Sequence, residues 1–279
     1  MNRRFAAVLA PVLALSLAAC TGDDQPKDPK AALVASTSGL KAGNYSFTAT
    51  MPGDASAKGI VHIPSHTASL DLDTVQEGKK GKVQFRIAEP DRYVKLTMDL
   101  GETAEQLESL SALGGGDAQT AKLTEGLKAM VDLFSGKQWL KLDASKVKAQ
   151  ELRVGLENPD LTGATGLFGG IVSADRKGDV ITGKLDVTKV SGDSQLFGES
   201  AVKGADPAQA KVVPYEATLD GDGRLTKLVL DMPKTTDSPA GKWTVQVSGY
   251  GAQAKQDAPP AAEVKEMPDS AYDMINGKG

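Results

Sequence analysis

The sequence is poor in cysteine, in aromatic residues and in long apolar segments. Cys20 is the only cysteine among 279 residues, so the chain has no partner for an intramolecular disulfide. Aromatic residues make up 5% of the chain, which argues against a surface on which bases or sugars stack. After the leader no run of about 18 apolar residues occurs, so no later segment is expected to span a bilayer.

An excess of charge of one sign is also lacking. The chain carries 32 Lys and Arg against 36 Asp and Glu, a formal net charge of −4. The two signs are interspersed and form no basic stripe, so nucleic acid is not expected as a partner.

What the chain does have is a leader that ends in a lipobox. Arg3 and Arg4 precede an apolar run from Phe5 to Ala19, which is too short to cross a bilayer but suits a signal peptide. Leu17-Ala18-Ala19-Cys20 matches the lipobox at all four positions. We therefore expect residues 1–19 to be removed and the Cys20 thiol to carry a diacylglycerol. The protein would then be held stably on the extracytoplasmic face of the cell membrane. The alternative is an ordinary secretory signal with an incidental cysteine.

The mature chain is predicted to form one domain on a short tether. Residues 20–27 are polar and are assigned to the tether, residues 28–265 to the domain, and residues 266–279 to an irregular tail. Asp28 and Pro29 predict the start of a helix, with Asp28 as N-cap, and Gly43 predicts its end.

The segment that follows alternates apolar and polar residues with a period of two. The alternating apolar residues are Tyr45, Phe47, Leu70, Leu72, Val83, Phe85, Ile87, Val94, Leu96 and Met98. Glycine, proline and charged residues separate these runs, so the pattern predicts an antiparallel meander with one buried and one solvated face.

Helical spacing returns from Glu102 to Phe134, broken at Gly114-Gly115-Gly116. Its second part carries an apolar stripe of Leu123, Leu127, Met130 and Phe134, spaced by four, three and four residues. Gln138 to Leu142 is predicted as a strand. This gives an α+β fold in which the stripe would cover the apolar face of the sheet.

The second half is predicted to repeat a helix and a meander. The expected elements are a weak glycine-rich helix from Asp160 to Ser173, a strand from Ile181 to Val187, a hairpin of 215–219 and 225–232, a strand from Trp243 to Val247, and an irregular tail from Ala258.

The side chains that could carry chemistry do not assemble into a motif. His62 and His66 would lie about 13 Å apart on a continuous strand, too far for one zinc ion unless Pro64 folds the chain. Asp220-Gly221-Asp222-Gly223 has no calcium-loop spacing and predicts a hairpin turn. The triple glycine lacks the lysine of a phosphate loop, and no nucleophile elbow occurs. We therefore expect no catalysis, no metal and no cofactor.

One lysine cluster has two interpretations. Lys79, Lys80 and Lys82 lie beside Gly78 and Gly81. They could meet anionic head groups, although a solvated hairpin tip is the simpler interpretation.

The chain resembles the LppX/LprG-type lipoproteins of actinobacteria. The resemblance covers most of the mature chain. It is carried by the order of lipobox, tether, helix and Asn-Tyr-Ser-Phe-Thr-Ala-Thr (44–50). Further similar segments are the hairpin 215–231, the closing strand Trp-Thr-Val-Gln-Val-Ser-Gly-Tyr-Gly (243–251) and the proline-bearing segment 258–264.

The resemblance implies a fold similar to that of periplasmic lipoprotein carriers. This is a curved antiparallel half-barrel with helices on its concave face and a hydrophobic cavity that holds acylated envelope lipids or lipoglycans. A membrane lipid transporter is a conceivable partner, and a monomer is expected. The residues expected to line the cavity are Phe85, Ile87, Leu123, Leu127, Met130, Phe134, Leu167, Phe168 and Ile171.

The sequence leaves a second interpretation open. The apolar stripe suits a solid core even better than a cavity wall, because core is the commoner use of such spacing. The protein would then be a non-catalytic interaction or sensor module of the cell envelope.

Overall fold

The computed structural model describes residues 26–76, 78–112, 118–148, 153–190, 197 and 199–276. These residues form an α+β fold around one open, mostly antiparallel sheet of twelve strands. The strands are β1 (Asn44–Met51), β2 (Ala55–His62), β3 (Thr67–Gln76), β4 (Lys79–Ala88), β5 (Asp91–Met98), β6 (Trp139–Lys141), β7 (Ile171–Lys177), β8 (Val180–Leu185), β9 (Val213–Leu219), β10 (Leu225–Met232), β11 (Gly241–Ser248) and β12 (Val264–Glu266). The α-helices are α1 (Pro29–Ala35), α2 (Ser38–Ala42), α3 (Gly101–Ala112), α4 (Ala118–Leu133), α5 (Ala164–Leu167), α6 (Pro207–Ala210) and α7 (Asp269–Ile275).

The strand order is β12-β6-β5-β4-β3-β2-β1-β11-β10-β9-β8-β7. Neighbouring strands are antiparallel except β12 and β6, which run parallel. The first meander thus joins the second through the pair of β1 and β11, where Ala49 faces Val245. We call the end of the sheet where β1 finishes the Met51 end, and the opposite one the Asn44 end.

One face of the sheet, here the core face, carries the buried side chains. Phe47 on β1 faces Gly59 on β2, Leu70 on β3 and Phe85 on β4 in a single row across the strands. The second meander continues this apolar layer through Val245, Leu228, Ala217 and Ile181. All these side chains belong to one continuous core, which confirms the predicted alternation of buried and solvated residues.

The predicted N-terminal helix is interrupted. Its start is confirmed, since the Asp28 Oδ2 accepts a hydrogen bond from the Ala31 N–H at 3.0 Å. The helix breaks after Ala35. There the hydroxyl groups of the buried residues Ser36 and Thr37 donate hydrogen bonds to backbone carbonyls one turn earlier, and this competes with continuation of the helix. α2 then ends at Gly43, which adopts a left-handed conformation as predicted.

Segment 156–170 packs on the core face and is anchored by Tyr45. The fully buried Tyr45 hydroxyl donates to the Pro159 carbonyl at 2.7 Å and accepts from the Leu161 N–H at 3.0 Å. The buried Asp160 carboxylate accepts backbone hydrogen bonds that start the turn into α5. The predicted helix over Asp160–Ser173 was wrong at both ends: only α5, from Ala164, and a short 3-10 helix form, and Ile171 begins β7.

Three further elements differ from the sequence prediction. β2 was missed, because its core-facing residues include Ala57 and Gly59, whose small size gives little hydrophobic signal. β8 ends at Leu185 rather than Val187, since Asp186 caps a 3-10 helix. The tail is not irregular: it forms β12 and α7, and Tyr272 of α7 is buried against the core.

The long helical segment is confirmed as two helices, α3 and α4, which pack against each other. Residues 113–117, which include the predicted break at Gly114-Gly115-Gly116, lie outside the described residues. Leu133 and Phe134, at the end of α4, pack against the core. The backbone there joins the Met51 end of β5, where the Met98 N–H donates to the Phe134 carbonyl at 3.0 Å.

Candidate functional site

A cavity of about 670 Å³ opens at the Met51 end of the sheet. It lies between the β1–β2 turn, the end of β3 and the loop that joins β10 to β11. Its lining residues include Met51, Pro52, Val75, Ala201, Met232, Pro233, Pro239 and Trp243, together with hydroxyl-bearing residues of the β10–β11 loop. The volume falls within the range of roughly 300–1,000 Å³ that is typical of ligand sites.

The deep side of this cavity is aromatic and apolar. The Trp243 side chain is buried, and its ring centroid lies 4.6 Å from that of Phe197, which is also buried. Met232, the last residue of β10, is buried beside them. The cavity therefore continues the core face outward to solvent.

The loops at the mouth are tied to each other by hydrogen bonds. The Ser238 hydroxyl donates to the Pro52 carbonyl at 3.0 Å, which joins the β10–β11 loop to the β1–β2 turn. The Thr236 N–H donates to the Lys203 carbonyl at 2.9 Å, which joins the same loop to the segment that carries Ala201. These bonds fix the three segments around the mouth relative to one another.

The structure describes the side chains of eight of the nine residues predicted to line a cavity. Phe85, Ile87, Leu167 and Phe168 are at most 4% exposed and pack within the core. Leu127 and Met130 on α4, together with Phe134 and Ile171, are half-buried. Leu123 lies on α4, but its side chain is outside the described set. None of the nine belongs to the described lining of the cavity at the Met51 end.

Sequence reasoning missed this cavity because its walls come from strand ends and loops. Pro52, Pro233 and Pro239 could have marked those loops, since proline next to a strand end indicates a turn. No spacing along the chain indicates that the two loops, some 180 residues apart, meet.

The opposite face of the sheet, here the polar face, carries a charged network. Arg86 Nη1 lies 2.8 Å from Asp71 Oδ1, and Lys58 Nζ lies 3.8 Å from Asp71 Oδ2. Burial alone would raise the pKa of the Asp71 carboxyl, but Arg86, with smaller contributions from Gln84 and Lys58, outweighs burial and holds that pKa below its usual value. The Arg86 guanidinium also lies 5.1 Å from the centroid of the Trp139 ring. The network therefore links side chains of β2, β3, β4 and β6 across this face.

Two open troughs cross the polar face. One of about 650 Å³ is lined mainly by polar residues of β1, β2, β3 and β11, and one of about 450 Å³ lies over β8 to β11. They share Lys227 and Gln246. Their lining offers hydrogen bonds and charges rather than an apolar surface.

The histidines have local partners. Pro64 does fold the chain, in the 3-10 helix Ile63–Ser65, and this turns His62 and His66 away from a continuous strand. His62 Nδ1 lies 2.6 Å from the Ser65 hydroxyl, and His66 Nδ1 lies 3.1 Å from Glu89 Oε2. Within the described ranges, no three His, Cys, Asp or Glu side chains come together as a metal site.

The Asp220-Gly221-Asp222-Gly223 segment forms the predicted hairpin turn between β9 and β10. The Asp220 Oδ1 accepts from the Asp222 and Arg224 N–H groups at 3.0 and 2.9 Å, and Oδ2 receives the Arg224 side chain at 2.8 Å. Its carboxylate is thus used inside the turn.

The leader, the lipobox and Cys20 lie outside the described residues. Among the residues that are described, no helix combines the length and apolarity needed to cross a membrane.

No protein-family model matches this chain, and no curated protein matches it. The resemblance to LppX/LprG-type lipoproteins therefore remains a prediction from the sequence.

Proposed function

We propose that this protein is a lipid-anchored carrier that binds and transfers acylated lipids or lipoglycans of the cell envelope. Cys20 would carry the anchor on the extracytoplasmic face of the membrane. The protein would act as a monomer without catalysis, and a membrane lipid transporter would be a natural donor or acceptor of the cargo.

The cavity at the Met51 end is the observation that carries this proposal. It offers about 670 Å³ beside Trp243, Met232 and Met51, whose apolar side chains suit an alkyl chain, and Asp237 is the one charged residue in its described lining. Burial of an acyl chain there gains ~25 cal/mol for each Å² of apolar surface removed from water. The exposed Thr236 would offer its hydroxyl group to a polar head, and the Ser238 hydroxyl could still accept a hydrogen bond while it donates to Pro52.

The finer architecture belongs to the same proposal. The sheet would curve as a half-barrel around segment 156–170 and the α3–α4 pair on its concave side. Leu127 and Met130, which are half-buried, would then border a longer groove that continues from the cavity when a lipid enters.

Native mass spectrometry of the chain from residue 20 with Cys20→Ser tests this function. Expressed in a bacterium that makes acylated glycolipids, it should carry a non-covalent lipid that organic extraction releases. Ala201→Trp places a large ring in the cavity and should abolish that mass. Gln246→Trp, on the polar face of the strand that carries Trp243, is the matched control and should retain it.

A clean apo mass, with no uptake of offered lipids, would contradict the carrier proposal. Retention of lipid in Ala201→Trp would instead show that the cargo lies elsewhere. Circular dichroism of both variants establishes that the loss in Ala201→Trp does not reflect unfolding.

A non-catalytic interaction module is the second candidate. The two troughs around Lys227 and Gln246 favour it, because an open polar face is available for a partner. In that case Gln246→Trp, rather than Ala201→Trp, should remove the cellular function.

A further inference from the structure

Most of the large apolar side chains that are exposed lie at one end of the sheet. Among the described residues they are Val34, Val75, Met98, Val172 and Val212, with exposed fractions of 38–48%. Four of these five, all except Val34, lie at the Met51 end, where the cavity also opens.

The strand register establishes this placement in the first meander. Val75 on β3 faces Lys80 on β4 near the β3–β4 turn. This hairpin projects further than the turn after Met51, so Val75 lies at the Met51 end. Met98 is the last residue of β5 and faces Gly81 on β4. Val75 is part of the cavity lining, and Met98 lies at the same end of the sheet, two strands away.

The second meander places the other two residues at the same end. Val213 faces Leu185, which in turn faces Ile171, so this row marks the Met51 end of β9, β8 and β7. Val212 directly precedes this row, and Val172 directly follows Ile171. The exposed apolar residues thus extend along the Met51 end from β5 to the β7 edge.

The chain also enters the domain from this end. Lys30, at the start of α1, donates to the Val172 carbonyl at 3.0 Å, whereas Ser36, just after α1, accepts from the Leu225 N–H at the Asn44 end of β10. The axis of α1 therefore runs from the Met51 end towards the Asn44 end. From Cys20 to Pro29 the chain can span at most about 30 Å, so an anchor on Cys20 keeps this end near the bilayer.

The lysines at this end are partly neutralised. Lys79 Nζ lies 3.9 Å from Glu102 Oε2, and Lys82 Nζ lies 3.5 Å from Asp73 Oδ1. A contact made here would therefore depend on the apolar side chains more than on attraction to anionic lipids.

We infer that the Met51 end is a membrane-docking surface. Val75, Met98, Val172 and Val212 rest in the head-group layer of the bilayer that holds the anchor, and the cavity mouth faces the lipids. This inference rests on the proposed anchor and carrier function. It adds that an acyl chain passes from the bilayer into the cavity without crossing bulk water, which removes the cost of hydrating it.

Quenching by brominated phospholipids tests the orientation. The chain from residue 20 is coupled through its single cysteine to a maleimide-bearing lipid, in vesicles of phosphatidylcholine and phosphatidylglycerol with brominated acyl chains. Val172→Trp reports on the Met51 end, and Lys177→Trp reports on the other end of the same strand. The parent protein supplies the baseline from Trp139 and Trp243.

The added tryptophan of Val172→Trp should lose emission in brominated vesicles, and that of Lys177→Trp should not. Met98→Trp is a second probe of the Met51 end should Val172→Trp fail to fold. High salt should preserve the quenching, because the contact is apolar.

Equal quenching at both ends, or quenching at Lys177→Trp alone, would overturn the docking surface. So would sedimentation of the soluble chain as a dimer that Val212→Asp converts to a monomer, because a second copy would then cover this end. The chemical anchor makes the result independent of lipidation in cells and of cargo binding. Failure of docking is therefore distinguishable from failure of the carrier function.

Discussion

At the scale of single residues, a buried charged group can be matched by a partner on the adjacent strand. Asp71 shows this best, since its side chain is 10% exposed and lies against Arg86 from the neighbouring strand. The Arg86 guanidinium holds the pKa of Asp71 below its usual value in spite of burial. Such a carboxylate stabilises the folded state only while it is ionised.

We expect Asp71→Asn to lose less unfolding free energy than the parent protein does when the pH is lowered into the acid range. The folded pKa lies below the unfolded value of about 3.9, so the stabilising contribution is complete above that value. It is lost as pH falls through the folded pKa. Urea unfolding from neutral to acid pH should show a deficit of Asp71→Asn that shrinks as pH falls below about 4.

The converse variant is Arg86→Gln, which leaves the buried carboxylate without its guanidinium. Burial is then no longer offset by that charge, so the folded-state pKa of Asp71 rises relative to the parent and protonation by acid relieves the unpaired carboxylate. The deficit of Arg86→Gln relative to the parent should therefore shrink as pH falls below about 4. An unchanged profile in both variants would contradict the role given to this pair.

At the scale of elements, β2 shows why alternation alone was an incomplete guide. Its core-facing positions are small because the Phe47 ring from β1 lies over Gly59. A Cβ at Gly59 would press into that ring and come within 3.0 Å of the Ser69 carbonyl oxygen. The absence of a side chain is therefore a packing requirement that only the neighbouring strand reveals.

Gly59→Ala is expected to destabilise the protein by about 1–3 kcal/mol through overpacking. The matched control is Gly126→Ala on α4, where no described atom lies within 4 Å of the added Cβ. That change should instead stabilise by about 0.5–1 kcal/mol, because glycine is unfavourable inside a helix. Urea unfolding of the two variants and the parent measures the loss of stability in one and the gain in the other. A Gly59→Ala variant as stable as the parent would refute the packing argument.

The elements with strong local signals were predicted well. The β9–β10 hairpin, β11 and the α3–α4 pair follow their patterns, because turn residues and periodicity act within a few positions. β7 was misassigned at its start as helix. It is an edge strand with a bulge between Ile171 and Ser173, which disturbs the alternation.

At the scale of the whole molecule, one sheet and one core join the two meanders. Trp139 lies on β6 in the first meander and Trp243 on β11 in the second. Because the pair of β1 and β11 makes the sheet and its core continuous, we expect both halves to unfold together.

Single-tryptophan variants test this cooperativity. In Trp139→Phe and in Trp243→Phe, the fluorescence midpoint in urea should coincide with the circular-dichroism midpoint of the same variant. Each substitution is expected to lower stability, so the comparison is made within a variant. A midpoint difference between the two probes would show that the meanders unfold separately.

The sequence by itself determined the local elements: the Asp28 cap, the alternating strands, the Asp220 turn and the helical spacing of α3 and α4. It also supplies the lipobox from which the anchor at Cys20 is predicted. Only the tertiary structure decided that Pro52 meets Ser238, that Trp243 packs on Phe197, and that a cavity opens between them. The same holds for the exposed apolar residues, which gather at the Met51 end through strand register. The physical reason is that caps, turns and periodicity act over a few neighbouring residues, whereas a cavity is formed by surfaces that meet only after distant strands have paired.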